Sequence, residues 1–216
     1  MMSANSLLLF LSNTAAMKNI IYLLLLLPFF VLGQNSMVFE ASLAAQVKLN
    51  EEFSDPETSI LEAEDFKNFK GLQFYPLGEK YIVKAQFVRT PDEVPFLMPT
   101  TTARMPEYVK YGEVHFTIDG KDLTLDVFKS TQGYAEPGYE DYLFLPFTDL
   151  TSGDGSYGGG RYLDLRIPEG DTLTIDFNKA YNPYCAYNHK YSCPIPPKQN
   201  DLLLRIEAGV KDFKKD

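Results

Sequence analysis

Residues 112–129 constrain this chain more than any other stretch. Apolar and polar residues alternate on both sides of Asp119-Gly120, a favoured two-residue hairpin turn. Folding about that turn sets Phe116 opposite Leu123 and Val114 opposite Leu125, with His115 opposite Thr124 on the other face. Both apolar sets share one face, so the hairpin needs a core to cover. The period of two recurs in Tyr81, Val83, Ala85 and Phe87, which alternate with Ile82, Lys84, Gln86 and Val88. Residues 143–147, 161–167, 173–177 and 202–207 read as further strands, and Pro168-Glu169-Gly170-Asp171 as a turn joining two of them. Strands do not alternate with helices, which argues against a parallel sheet. The expected fold is mainly β, an antiparallel β-sandwich or partly closed barrel preceded by one or two short N-terminal helices.

Those helices come from residues 37–53, where Phe39, Leu43, Val47 and Asn50 form one stripe, and from a shorter segment over 65–69. Asp55-Pro56 ends the first. Ser59 and Glu62 are spaced as a capping box for the second, which stops at Gly71. Earlier residues read as a targeting segment. Met17-Lys18-Asn19 starts a positive n-region, residues 20–32 form an apolar run broken by Pro28, and Val31 and Gly33 stand at the −3 and −1 positions before Gln34. The run of 13 residues is short of the roughly 20 that span a membrane. Gln34, not cysteine, follows the cleavage point, so no lipid anchor is expected either. The domain plan is a signal peptide over 1–33 with Met17 as the expected start, a helical lead-in over 34–75, a β domain over 76–211 and a frayed tail over 212–216. The expected location is periplasmic or extracellular, with no stable membrane anchor.

Charge and cysteine usage narrow the function classes. A formal net charge of −9 gives no electrostatic footprint for nucleic acid and repels anionic membrane surfaces. Two cysteines, Cys185 and Cys193, would close a nine-residue loop as a disulfide in an exported chain, worth about 2–3 kcal/mol by chain entropy. Cys185, His189 and Cys193 could bind metal, but a fourth ligand is missing, and structural zinc wants four. A free, reactive thiol pair is the remaining option. No metal or cofactor is expected.

Residues 176–197 hold both cysteines together with Tyr181, Asn182, Pro183, Tyr184, Tyr187 and Asn188. In the strand over 173–177, Leu173, Ile175 and Phe177 share one face, and Asp176 and Asn178 share the other. Rings beside amide and carboxylate groups suit a small polar or carbohydrate-like ligand. A stiff crossover loop, fixed by proline and satisfied by asparagine, would need the same residues. The glycine-rich run over 153–161 lacks a Gly-Lys-Ser/Thr ending and leads into a strand, so it is no phosphate loop. Its Arg161 can offer a guanidinium fork to a carboxylate of a ligand or of the protein. His115 and His189 stand in no catalytic motif. Acids at Asp149, Asp164, Asp176 and Glu207 lie in or beside strands. The candidate contacts are Asp149, Arg161, Tyr162, Asp176, Asn178, Tyr181, Asn182 and Tyr187. The leading expectation is an exported ligand-binding β domain. The alternatives are a hydrolase using Asp176 or Asp149 as general base with Arg161 steadying negative charge, and a purely structural domain.

Residues 147–153 (Phe-Thr-Asp-Leu-Thr-Ser-Gly), 156–163 (Ser-Tyr-Gly-Gly-Gly-Arg-Tyr-Leu), 176–187, 192–200 and Glu207-Ala208-Gly209 form a specific pattern. On these motifs, over roughly Tyr81 to Lys211, the chain resembles the domain of unknown function 1684 family of uncharacterised bacterial proteins, in a short form without the extra N-terminal portion of many relatives. The resemblance implies a shared β core and no particular activity. His189 is outside the family's pattern, which weakens the zinc reading further.

Overall fold

A computed structural model describes residues 38–133 and 137–214 of the protein. The expected signal segment lies outside the described residues. Contacts separate residues 1–41 from residues 42–216. Of the first unit only 38–41 are described, at the start of helix α1 (Glu40–Ser54). The second unit continues through α1, adds a short helix α2 (Ala63–Asn68), and then becomes β structure. No described helix is long and apolar enough to cross a membrane.

The strands are β1 (Ile82–Arg89), β2 (Phe96–Leu97), β3 (Glu107–Ile118), β4 (Lys121–Ser130), β5 (Tyr142–Asp149), β6 (Arg161–Arg166), β7 (Thr172–Asp176) and β8 (Asp201–Leu202). They form one sheet in the order β6-β5-β4-β3-β1-β7, with β2 added to β3 and β8 to β5. All pairs are antiparallel except β5 with β8. The β3–β4 hairpin has the register its alternation dictates: Val114 faces Leu125, His115 faces Thr124 and Phe116 faces Leu123. Asp119 and Gly120 both have positive φ, 50° and 73°, as a hairpin turn that follows strand twist requires. One bulge interrupts the ladder between Lys110 and Gly112. A Cβ at Gly112 would lie 2.6 Å from the Val88 carbonyl oxygen, so only glycine lets β1 approach there.

The turn at 168–171 joins β6 to β7, the two strands at opposite ends of the path. A short turn can do this only when the sheet curls back on itself. A bridge between Tyr162 and Tyr181 helps tie the two ends, with N–H to O distances of 2.9 and 3.1 Å. The fold is a curled antiparallel half-barrel. Its concave face holds the main core: Val83, Ala85 and Phe87 of β1, Val114 and Phe116 of β3, Leu143, Leu145 and Phe147 of β5, and Ile175 of β7. Strand β5 is buried on both faces, since Tyr142 and Phe144 belong to a second cluster on the outside. A third cluster gathers Phe53, Ile60, Leu61 and Leu72 against Tyr187 and Val210.

Four local expectations change. The stripe on α1 faces solvent, with Leu43 and Val47 53% and 47% exposed, while Ser42 and Gln46 are buried. The helix is docked by hydrogen bonds: Ser42 Oγ donates to Asp176 Oδ2 (2.6 Å) and Gln46 Nε2 to the Asn178 carbonyl (2.9 Å). The N-cap of α2 is Glu62 rather than Ser59, and its side chain makes no capping bond. The strand expected over 202–207 stops at Leu202, because Ile206 and Ala208 give their backbone groups to the buried Asp149 and Arg161 side chains. Finally, Asp212 and Phe213 are held in place: Asp212 N–H donates to the Gly155 carbonyl (3.1 Å), and the Phe213 ring lies 5.0 Å from that of Tyr187.

Candidate functional site

Strand β6 has two chemically distinct faces. Arg161, Leu163 and Leu165 turn into the half-barrel, and Tyr162, Asp164 and Arg166 turn out of it. On neighbouring β5, Pro146 pairs with Tyr162, Phe144 with Asp164, and Tyr142 with Arg166, so this outer face is aromatic. The segment from Tyr181 to Pro194 crosses over it, and α1 passes alongside. Together they enclose a cleft of about 530 Å³. Tyr108, Tyr142, Phe144 and Tyr162 come from the sheet, Tyr181, Pro183, Tyr184, Cys193 and Pro194 from the crossing segment, and Lys48 and Glu52 from α1.

The walls are packed edge to face. Phe144 and Tyr162 have ring centroids 4.8 Å apart at 77°, and Tyr162 and Tyr181 are 5.9 Å apart at 88°. Such contacts fix ring orientation as well as burying area. Asp164 is exposed, and its Oδ1 accepts hydrogen bonds from Tyr142 and Tyr181 hydroxyls, both at 2.7 Å. Among the described residues nothing donates to its second oxygen. The Tyr162 hydroxyl donates to the Pro194 carbonyl. Burial pushes the Tyr162 and Tyr181 phenols well above their ordinary range, and Asp164's charge adds to this at Tyr181. These hydroxyls therefore remain protonated donors. At the rim, Lys48 Nζ lies 3.6 Å from Glu52.

Cys185 and Cys193 are buried free thiols beside this cleft; the disulfide expected between them is not formed. The Cys185 N–H donates to Cys193 Sγ (3.2 Å), and the Tyr157 hydroxyl lies 3.8 Å from Cys185 Sγ. A hydrogen bond from Cys193 draws the Cys185 thiol down to about 6, against the opposing effect of burial. Cys193 is pushed far up, first by that hydrogen bond and then by burial. The pair thus shares one proton across neutral pH. Tyr157 is pushed up to about 12 by burial and the neighbouring thiolate. His189 is exposed, and among the described residues no three His, Cys, Asp or Glu side chains converge on a metal position.

Of the residues expected to contact ligand, Tyr162 and Tyr181 line the cleft. The other six lie elsewhere. Arg161 and Asp149 form an ion pair at 3.0 Å with no side-chain exposure. Arg161 also donates to the Ile206 carbonyl (2.8 Å), the Thr151 hydroxyl (3.3 Å) and the Ala208 carbonyl. Asp149 further accepts from Ile206 N–H (2.7 Å), Thr151 N–H (3.1 Å) and the Thr151 hydroxyl (3.0 Å). The carboxylate met by the Arg161 fork is therefore the protein's own. Asp176 accepts from Ser42, Asn178 N–H and Asn178 Nδ2. Asn178 in turn bonds both backbone groups of Gly78. Asn182 donates to the Lys211 carbonyl (2.9 Å). Its buried Oδ1 and the buried Tyr187 hydroxyl interact without ideal hydrogen-bond geometry. Tyr187 packs on Phe53 at 4.6 Å. In the sequence, Asp164 is one acid among several in or beside strands. Its signal was the alternation Tyr162-x-Asp164 opposite Leu163 and Leu165 on β6.

Residues 67–211 match the family described as protein of unknown function, DUF1684. The chain belongs to this family. A solution NMR structure of an uncharacterised protein from Haloarcula marismortui is similar to it, with 31% sequence identity, a TM-score of 0.64, and coverage of 82% of this chain and 96% of that one. No curated protein matches the chain. Every sheet and crossing-segment residue of the cleft lies inside the DUF1684 match, whereas Lys48 and Glu52 on α1 lie outside it.

Proposed function

We propose that this DUF1684 protein is an exported binding domain whose tyrosine-lined cleft takes a small polar, carbohydrate-like ligand. The supporting observation is the cleft itself: about 530 Å³, walled by packed rings, with one carboxylate oxygen that accepts no hydrogen bond among the described residues. Ligand sites are commonly of this size, mostly apolar, with few polar groups. Export rests on the basic, apolar and small-residue sequence over 17–33. The hydrolase reading is weakened at its general bases, since Asp149 is buried, Asp176 is half-buried, and both are hydrogen-bonded within the protein.

Two measurements test this reading. A panel of sugars, amino acids and amines is screened by NMR of the tyrosine rings. A ligand should perturb Tyr142, Tyr162 and Tyr181 together and lose affinity in Tyr184→Ala, a residue 42% exposed at the cleft. Binding that leaves those rings unchanged, or a panel without any hit, overturns it. Mass spectrometry of the protein made in a bacterial host should find an exported chain beginning at Gln34.

A further inference from the structure

The cleft's polar groups are unevenly committed, and this bears on the charge of its ligand. The Tyr142 and Tyr181 hydroxyls both donate to Asp164. The Tyr162 hydroxyl donates to the Pro194 carbonyl. The Ser192 hydroxyl is engaged with Thr102 (2.6 Å) and Thr100 (2.9 Å). These four hydroxyls are thus already satisfied within the protein. Besides these, the described lining presents the second oxygen of Asp164, the hydroxyls of Tyr108, Tyr139 and Tyr184, and a set of aromatic faces and edges. Lys48 and Glu52 offset each other at the rim, so the lining carries the net charge of Asp164. An anion would meet a carboxylate, and a neutral acceptor would find the first four hydroxyls occupied. A cation would gain both from the carboxylate and from the rings, whose faces carry negative electrostatic potential. The same wall already holds one: the Arg166 guanidinium carbon lies 5.2 Å from the centroid of Tyr139, a cleft-lining ring, while pairing with Asp141 at 2.7 Å.

We propose that the cleft selects a small organic cation, seating an alkylated ammonium group among the rings beside Asp164. This rests on the reading of the cleft as a ligand site and narrows the class of ligand it takes. Alkylation matters because a bare ammonium stays strongly hydrated, whereas methyl groups spread the charge over apolar surface that rings can cover.

The test is an NMR and calorimetric titration of the full exported chain with choline, with choline's neutral carbon isostere and with glucose. Choline should bind about tenfold or more tighter than the isostere. Raising the salt should weaken it. Asp164→Asn, which keeps an oxygen for both tyrosine hydroxyls, should lower choline affinity by about tenfold while leaving the isostere unchanged. Equal binding of choline and the isostere by the native protein overturns the inference, as does unchanged choline binding by Asp164→Asn. Glucose binding in the cleft without choline binding overturns it but leaves the proposed ligand site standing. Absence of binding by all three overturns the cation and counts against the site as well.

Discussion

Two carboxylates in adjacent strands of the same sheet have opposite fates. Asp149, at the end of β5, points into the half-barrel, where Arg161, Thr151 and the Ile206 N–H saturate it. Asp164, on β6, points outward, and among the described residues it accepts from two tyrosine hydroxyls, both on one oxygen. Arg161 and Asp164 are three positions apart, an odd offset, which puts them on opposite faces of the strand. Chemical type alone therefore does not mark a site. A buried charge must be fully paired, and pairing removes it from binding. A charge beside a cleft can stay partly unpaired because water covers its cost.

The same substitution at both acids would expose this difference, beginning with the larger effect. Asp149→Asn leaves the Arg161 guanidinium buried without a counter-charge, and should cost about 3–5 kcal/mol in urea unfolding. A loss below about 1 kcal/mol would mean the pair is not a structural anchor. Replacing Arg161 and Asp149 together by apolar residues should recover part of that loss, since the remaining partner is no longer stranded.

Asn200 has the next largest role. Strands β4 and β5 share only the Phe128–Phe144 pair in their ladder. Asn200 bridges them instead, accepting from Asp126 N–H (2.8 Å) and donating to the carbonyls of Asp126 (2.9 Å) and Pro146 (2.7 Å). Proline within β5 cannot donate to a ladder, so a side chain supplies the connection. Asn200→Ala should cost about 2–3 kcal/mol through unsatisfied buried groups. The choline titration should be unchanged, since Asn200 does not line the cleft.

Much of the architecture was legible because period-two alternation directly encodes a sheet face. The β3–β4 register followed from Asp119-Gly120 and its flanking residues without any long-range information. The family motifs were legible too. What misled was helix α1, where the apolar stripe of Leu43 and Val47 suggested the buried face. Ser42 and Gln46 are buried because Asp176 and the Asn178 carbonyl need donors, a demand set 132–134 residues away in sequence. The site candidates divided for a similar reason. Sequence shows that Asp149, Arg161, Asp176 and Asn178 are polar residues in strands or turns. It does not show whether the protein supplies their partners. The 176–197 segment forms part of the cleft, but its asparagines mostly hold the crossing in place and its tyrosines mostly build the wall.

The cysteine pair should give a smaller, pH-dependent effect. Cys185 has a folded-state value of about 6, below the roughly 8.5 of an unfolded thiol. Its contribution is complete above the unfolded value and disappears as the pH falls through about 6. Cys193 is shifted the other way: its contribution is complete below the unfolded value and declines as the pH rises beyond it. The reduced protein should therefore gain stability from about pH 6 to about 8.5 and lose it above. Urea midpoints across this range should show the maximum in the native protein. The variant with Cys185→Ala and Cys193→Ala should lack that component. An identical pH profile in the two proteins would remove the shared proton.

The smallest expected change in stability is at Asp164, and it is the most informative half of the comparison. Asp164→Asn keeps an acceptor oxygen for Tyr142 and Tyr181 at an exposed position. Urea unfolding should shift by less than about 1 kcal/mol, as for most surface substitutions. A shift as large as that of Asp149→Asn would make Asp164 a structural brace, with the two tyrosine bonds as its purpose. A small shift together with weakened choline binding would separate the two faces of β6 by function: one holds the fold together, and the other is left free to meet a ligand.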